Sequence, residues 1–331
     1  MRELVRTNNA VLITAIEALL KSADIPHLVL DRHMSVLEGS LGILPRRILV
    51  DEEHQEIARQ LLEDAGLAHV LRPDARAADS ELTDDAVLGG RLRLTQKRRG
   101  HRVGHDAILL AAATGARAGD RVVDLGSGVG AAGLALALRV ADVDVTLLEI
   151  DQELAAIATE NIARNGLEGR VRAVALDVSA PAEEFAARGL PPGIFDRVLM
   201  NPPFNDPSRH RASPDGVRER AHVATATTLA NWVHAARRLL RSNGQLAMIW
   251  RADGIADVLA ALDRGFGSLE LLPVHADATS PAIRILVRAT KGGRAPTRLH
   301  AALLLNDGAG VPNKWVQEIL AGKGELPLAR R

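Results

Sequence analysis

Five short apolar runs, Arg121 to Leu125, Val143 to Ile150, Val171 to Asp177, Asp196 to Met200 and Gln245 to Trp250, alternate with helical segments such as Ala131 to Val140, Gln152 to Asn165 and Thr227 to Leu240. That alternation predicts a doubly wound α/β fold, because parallel strands need a crossover between them and strands covered on both faces read as continuous apolar runs. Two further runs, Leu269 to His275 and Ile283 to Arg288, leave no room for a helix between them, which predicts an antiparallel pair at one edge of a mostly parallel sheet.

The first 66 residues follow another order. Glu3 to Arg6 reads as a strand, Ala10 to Ser22 as a helix with Leu12, Ile13, Ile16, Leu19 and Leu20 on its apolar side, Ile25 to Leu30 as a strand, Gly39 to Leu44 as a turn region, Arg46 to Val50 as a strand, and His54 to Ala65 as a helix ended by Gly66. The expected unit is a small α+β domain, βαββα, over residues 1–68. Through Val5-Arg6-Thr7-Asn8, Ile25-Pro26 and Leu44-Pro45-Arg46-Arg47 it resembles a small bacterial signal-transducing domain, which implies a regulatory role; its expected task is recognition of a protein partner or orientation of the larger domain. Arg72 to Asp84, rich in Ala and acidic residues, reads as part of a linker over 69–86, with the larger domain at 87–331.

The sequence contains no Cys, which excludes disulfides, thiolate zinc sites, iron–sulfur clusters and cysteine nucleophiles. Its histidines form no metal-binding spacing. No stretch reaches the roughly 18 apolar residues of a membrane span, and Met1 to Arg6 carries charge where a signal peptide would be apolar, so a cytoplasmic protein without membrane contact is expected. The 41 Lys and Arg balance 41 Asp and Glu, but residues 1–80 hold 9 basic and 13 acidic side chains, so the excess of basic charge lies beyond them. Arg91 to Val103 has six Lys or Arg and no acid, and Ala278 to Asn306 has five and none. Such runs suit a polyanion, or equally a solvated surface.

The chemistry gathers where the strands end. Val122-Val123 runs into Asp124-Leu125-Gly126-Ser127-Gly128-Val129-Gly130 and a helix of small residues, an arrangement in which backbone amides can approach a ligand at a helix N-terminus. Glu149 closes the next strand, where a carboxylate can accept both hydroxyls of a ribose, and Asp177 follows the third, suited to an adenine amino group. A nucleotide-like cofactor follows, and up to this point an NAD-linked oxidoreductase fits as well. After the fourth strand comes Asn201-Pro202-Pro203-Phe204. Two prolines fix the backbone and remove two amide donors, so the Asn201 side-chain oxygen and the Pro202 carbonyl are left as acceptors for an amino group, with Phe204 as a face for a planar base.

With these motifs in this order, Leu88 to Gly310 resembles the S-adenosylmethionine-dependent amino-methyltransferases. Gln96 to Leu110, Asn201 to Phe204 and the stretch to Ala224 are similar to the tRNA1(Val) (adenine(37)-N6)-methyltransferase family, from which the chain departs at His105 and in its additional N-terminal domain. The resemblance implies a Rossmann-like class I fold with a seven-stranded sheet and transfer of a methyl group to an exocyclic amino nitrogen, adenine N6 in tRNA. It implies S-adenosyl-L-methionine held by Gly126, Gly128, Gly130, Asp106, Asp124, Glu149 and Asp177, and a target amine held by Asn201 and Pro202, with Pro203 and Phe204 completing the catalytic motif. Lys97, Arg98, Arg99, Arg102, Arg209 and Arg211, with Arg218 and Arg220, would contact phosphates. Other acceptors with the same chemistry are guanine N2 of ribosomal RNA and the glutamine of a release factor; a non-catalytic cofactor sensor is the remaining alternative. Asp106 equally suits a helix cap at Ala107 to Ala113, Asp124 a ligand of backbone amides, and Trp232 and Trp250 core packing.

Overall fold

In the computed structural model, residues 2–7, 10–30, 46–67, 70–71, 82–98, 102–203, 216–307 and 311–330 are described, with 216–226 as backbone only. The chain divides into two units, residues 1–81 and 82–331. In the first, β1 (Arg2–Thr7), α1 (Ala10–Ser22), β2 (His27–Leu30), β3 (Arg46–Val50) and α2 (Gln55–Asp64) follow the expected βαββα order. The strands pair antiparallel in the order β1-β3-β2. Ile13, Ile16 and Leu20 form one stripe of α1 and pack with Leu4, Val5, Ile48, Val50, Ala58 and Leu62 in a single core. Gly66, at φ +75°, ends α2 by turning its own amide to the Glu63 carbonyl and that of Leu67 to Leu62. The expected turn at Gly39 to Leu44 lies outside the described residues.

The second unit starts earlier than the sequence suggests. Leu82 to Ala86, expected at the end of the linker over 69–86, belongs to β4 (Leu82–Val87), which pairs antiparallel with β5 (Leu92–Lys97). The turn between them carries Gly89 and Gly90 at φ +66° and +87°. Two acidic residues of this strand are counter-charges: Asp84 pairs with Arg93 and Arg164, and Asp85 with Arg102.

The remaining elements are α3 (His105–Ala113), β6 (Arg121–Leu125), α4 (Ala131–Arg139), β7 (Asp144–Glu149), α5 (Gln152–Arg164), β8 (Val171–Ala175), α6 (Ala182–Ala187), β9 (Phe195–Met200), α7 (Gly216–Leu239), β10 (Leu240–Arg251), α8 (Ile255–Leu262), β11 (Phe266–His275), β12 (Ala282–Lys291), β13 (Arg298–Leu299), β14 (Leu303–Leu304) and α9 (Lys314–Leu320). Among the described residues they build a nine-stranded sheet in the order β13-β11-β12-β10-β9-β6-β7-β8, with β14 also beside β11. β6 to β10 are parallel and β12 is antiparallel to both its neighbours, as the short connection before it requires. The two strands beyond the expected seven are the two-residue pieces β13 and β14. Val123, Leu125, Leu148, Val198, Met200, Met248 and Trp250 from the sheet meet Phe185, Leu229, Val233 and Leu239 from the helices in one buried cluster. β6 lies between β7 and β9, so the winding direction reverses there, and a crevice opens at the carboxyl ends of the strands.

Two buried carboxylates tie this unit together. Asp124 on β6 accepts the Gly133 amide of α4 at 2.9 Å. Helix and sheet approach so closely that a Cβ at Gly133 would stand 2.3 Å from Leu147. Burial pushes the Asp124 carboxyl up to about 7 against the pull of the Gly133 amide, and the charge of Glu149 adds to the rise. Glu270 on β11 accepts from Arg288 and lies 2.8 Å from Nε2 of His300, while Arg288 also donates to the Leu328 and Arg330 carbonyls and anchors the C-terminal segment. Burial raises the Glu270 pKa, but the His300 hydrogen bond and the Arg288 charge outweigh it and hold the carboxyl below its usual range.

Removing Glu270 leaves Arg288 without its counter-charge, and Glu270→Ala is expected to cost about 3 kcal/mol of unfolding free energy in a urea titration. Asp124 keeps its proton in the folded chain at pH values where the unfolded chain has lost it. Its contribution to stability therefore falls as pH rises from about 4 to about 7, at about 1.4 kcal/mol per pH unit. Asp124→Asn is expected to flatten that slope when unfolding is followed across the same pH range.

Candidate active site

The crevice takes its geometry from strand register. Leu125 at the end of β6 pairs with Met200 at the end of β9 and with Leu148 on its other side, and Glu149 pairs with Ala175 of β8. Gly126, Asn201, Glu149 and Leu176 therefore leave four adjacent strands at nearly one level. The sequence-predicted residues Gly126, Gly128, Gly130, Glu149, Asp177, Asn201, Pro202 and Pro203 share this edge. Phe204, Arg99, Arg209 and Arg211 lie outside the described residues, and of the Arg218 and Arg220 side chains nothing is described.

The glycine loop is a turn closed by the Ser127 amide on the Leu148 carbonyl and by the Gly130 amide on the Ser127 carbonyl. Gly126, Gly128 and Gly130 all have positive φ, at +64°, +56° and +92°. Each has a further role. A Cβ at Gly126 would stand 2.2 Å from the Trp232 ring of α7, and one at Gly130 2.8 Å from Leu147, whereas one at Gly128 would meet open space, so the loop is packed at both ends and open in the middle. Glu149 joins the loop to the next strand: Oε2 accepts the Gly128 amide at 2.8 Å and Oε1 the Asp151 amide at 3.0 Å. Each oxygen keeps a lone pair for a hydroxyl donor. Asp151 in turn caps α5 through the Glu153 and Leu154 amides.

A nucleoside-bearing cofactor fits these residues. The buried Ser127 hydroxyl has no hydrogen-bond partner among the described residues, and a buried polar atom of that kind calls for one. Ile150, directly after Glu149, is 63% exposed at the rim, an apolar face on which a planar base can lie. Asp177 is exposed, with Oδ1 accepting the Ser179 amide at 2.7 Å. On the other side of the crevice Asn201 is half-buried, Pro202 buried and Pro203 exposed.

Two acidic residues take internal partners. Asp124 is a buried ligand of a backbone amide, one of the two roles its position suggested. Asp106 does not cap α3, whose N-cap is Gly104; it sits in the first turn and pairs with Arg284 of β12 at 2.9 Å. His105, the first residue of α3, is held below its ordinary pKa by burial and is neutral at pH 7. Of the cations expected to meet phosphate, Lys97 pairs with Glu153 at 2.5 Å and Arg102 with Asp85 at 2.7 Å, while Arg98 is exposed. Trp250 is buried core, as expected, and Trp232 is half-buried against that core. Ser127, Ile150 and Arg284 were not anticipated from sequence: Ile150 could have been found from its place after Glu149, whereas Arg284 lies 178 residues from its partner.

Residues 102–276 match the family model of the methyltransferase small domain, and residues 1–66 match one described as "Putative prokaryotic signal transducing protein". The tRNA1(Val) (adenine(37)-N6)-methyltransferase of Serratia proteamaculans is 29% identical over 211 residues, covering 63% of this chain and 78% of that protein. Its counterpart in Erwinia tasmaniensis is 30% identical over 188 residues, covering 56% and 74%. Among solved structures, one described as a predicted O-methyltransferase from Agrobacterium tumefaciens superposes with a TM-score of 0.57 at 31% identity, over 67% of this chain and 98% of that one. Among the described residues no helix is long and apolar enough to cross a membrane. The family excludes the oxidoreductase alternative. The fold is that of the class I methyltransferases, the cofactor is S-adenosylmethionine, and the chain belongs to the methyltransferase small domain family.

Proposed function

We propose that the protein methylates the exocyclic N6 of an adenine in tRNA. The observation that carries the reading is the pairing of Leu125 with Met200, which sets Asn201 and Pro202 beside the glycine loop, in a chain similar to the tRNA1(Val) adenine methyltransferases. An exocyclic amine has two N–H donors, and the Asn201 side-chain oxygen and the Pro202 carbonyl are two acceptors held by a rigid Asn-Pro-Pro backbone. A hydroxyl has one donor and would leave one of them unmatched. That favours nitrogen over oxygen as the methyl acceptor here.

When bound, the cofactor supplies an electrophilic methyl group on its sulfonium. Gly128 would leave room for its methionine end, Glu149 would accept the ribose hydroxyls, Asp177 would accept the adenine amine and Ile150 would offer an apolar face to the adenine. Asn201 and Pro202 hold the target N–H groups so that the nitrogen lone pair faces the methyl, and they accept the positive charge that grows on nitrogen until a proton leaves to solvent. Phe204 stacks on a target base turned out of its helix. Phosphates are met by the basic side chains on either side of the site, Lys97, Arg98, Arg99, Arg102, Arg209 and Arg211, with Lys97 and Arg102 also pairing with Glu153 and Asp85. The first unit, acidic and similar to a signal-transducing domain, meets a protein partner rather than RNA, and the enzyme works in the cytoplasm, where its tRNA substrate is made.

Incubation with labelled S-adenosylmethionine and unmodified tRNA is expected to yield N6-methyladenosine. Asn201→Ala should lower the rate at least about 100-fold with cofactor affinity retained, whereas Glu149→Ala should weaken cofactor binding at least about tenfold. Label only in ribosomal RNA or in protein would move the acceptor to guanine N2 or a glutamine amide. Cofactor binding with no transfer to any of these would favour a sensor.

A further inference from the structure

Asn161 is fully buried on α5, yet its side chain makes every one of its hydrogen bonds outside its own helix. Oδ1 accepts the Thr95 amide at 2.7 Å, and Nδ2 donates to the Thr95 carbonyl at 3.0 Å and to the Val129 carbonyl at 3.0 Å. One turn along, Asn165 does the same for Arg93: Oδ1 accepts the amide at 3.0 Å and Nδ2 donates to the carbonyl at 2.7 Å. The two side chains, at i and i+4 on one helix face, thus take the place of a neighbouring strand on the edge of β5 that β4 leaves open. They differ in one respect. Asn161 reaches the glycine loop, while the third bond of Asn165 goes back to the Asn161 carbonyl of its own helix.

Val129 stands between Gly128, whose amide is held by Glu149, and Gly130, which opens α4. The Val129 carbonyl and the Gly130 amide form one peptide unit, held within the loop by the Gly130 amide on the Ser127 carbonyl and from outside the loop by Asn161, whose bond ties it to α5 and, through Thr95, to β5. The next residue of the same strand, Gln96, accepts the Val103 amide through Oε1 and donates to Asp85, the partner of Arg102, so β5 also holds the segment leading to α3. One strand is therefore tied both to the glycine loop, through Asn161, and to the segment before α3, through Gln96.

We infer that Asn161 is a positioning residue for methyl transfer: acting through the Val129 carbonyl, it locks the glycine loop to β5 in the conformation that binds S-adenosylmethionine. The inference rests on the methyltransferase assignment and not on the choice of tRNA, so its test uses no RNA. Calorimetric titration with S-adenosylhomocysteine compares Asn161→Ala with Asn165→Ala, both checked for folding by thermal melting. Asn165→Ala removes bonds of the same chemistry from the same helix and strand and should lower Tm with Kd nearly unchanged. Asn161→Ala should also lower Tm and raise Kd about tenfold, the cost of leaving a buried carbonyl unpaired. A rise less than about fivefold beyond that of Asn165→Ala overturns the inference.

Amide exchange on the unaltered chain keeps the test decisive should Asn161→Ala fail to fold. Saturating S-adenosylhomocysteine should slow exchange in residues 126–130 and at the Thr95 amide, but not at the Arg93 amide. Protection of the loop with Thr95 unchanged overturns the coupling, and failure of the unaltered chain to bind at all would count against the methyltransferase assignment itself. Where transfer to tRNA is measurable, Asn161→Ala should raise the KM for S-adenosylmethionine with kcat changed far less, a split that general destabilisation would not produce.

Discussion

The pairing of β6 with β9 is the contact on which the rest of the second unit depends. It is the point at which the sheet changes winding direction, and it pairs residues 75 apart in the chain so that a glycine turn and a rigid Asn-Pro-Pro turn leave the sheet side by side. Neither turn could do the chemistry alone. The glycine turn leaves room, its Ser127, Gly128 and Gly130 amides being bonded within the protein, the Asn-Pro-Pro turn is rigid, and parallel register at a switch point brings both to one edge. Val123, Val198 and Trp250 lie beneath them in one buried cluster.

The alternating part of the chain was legible because each crossover carries its own local signal. α4 and α5 begin and end within a residue of where periodicity and small-residue content place them, and Glu149 and Asn201 fall at strand ends as expected. The β4–β5 hairpin was not legible in the same way. Its acidic strand looks like a solvated spacer until Arg93, Arg102 and Arg164 are seen opposite it, and those partners come from three separate places in the chain. Composition records charges but not their neighbours, which is why a basic run that suggested RNA contact proves partly occupied within the protein.

The site shows the same division. Residues whose role is played by backbone shape, such as Gly128 and Pro202, are visible in a linear motif, because a turn is local. Residues whose role depends on a distant partner are not: Asp106 could be read as a cap or a ligand with equal ease, and only the fold shows Arg284 beside it. Asn161 and Asn165 belong to this second class, since a helix rich in Ala and Ile gives no hint that one amide in its last turn and another at its C-cap complete the edge of a strand.

Gly126 and Trp232 bear on how such a sequence can drift. A side chain at 126 would enter the space held by the indole, and the indole sits on the helix that follows the Asn-Pro-Pro turn. Even beside a smaller residue at 232 a side chain at 126 would bear the strain of a φ of +64°, so this one glycine sets both the shape of the loop and how closely α7 can approach it.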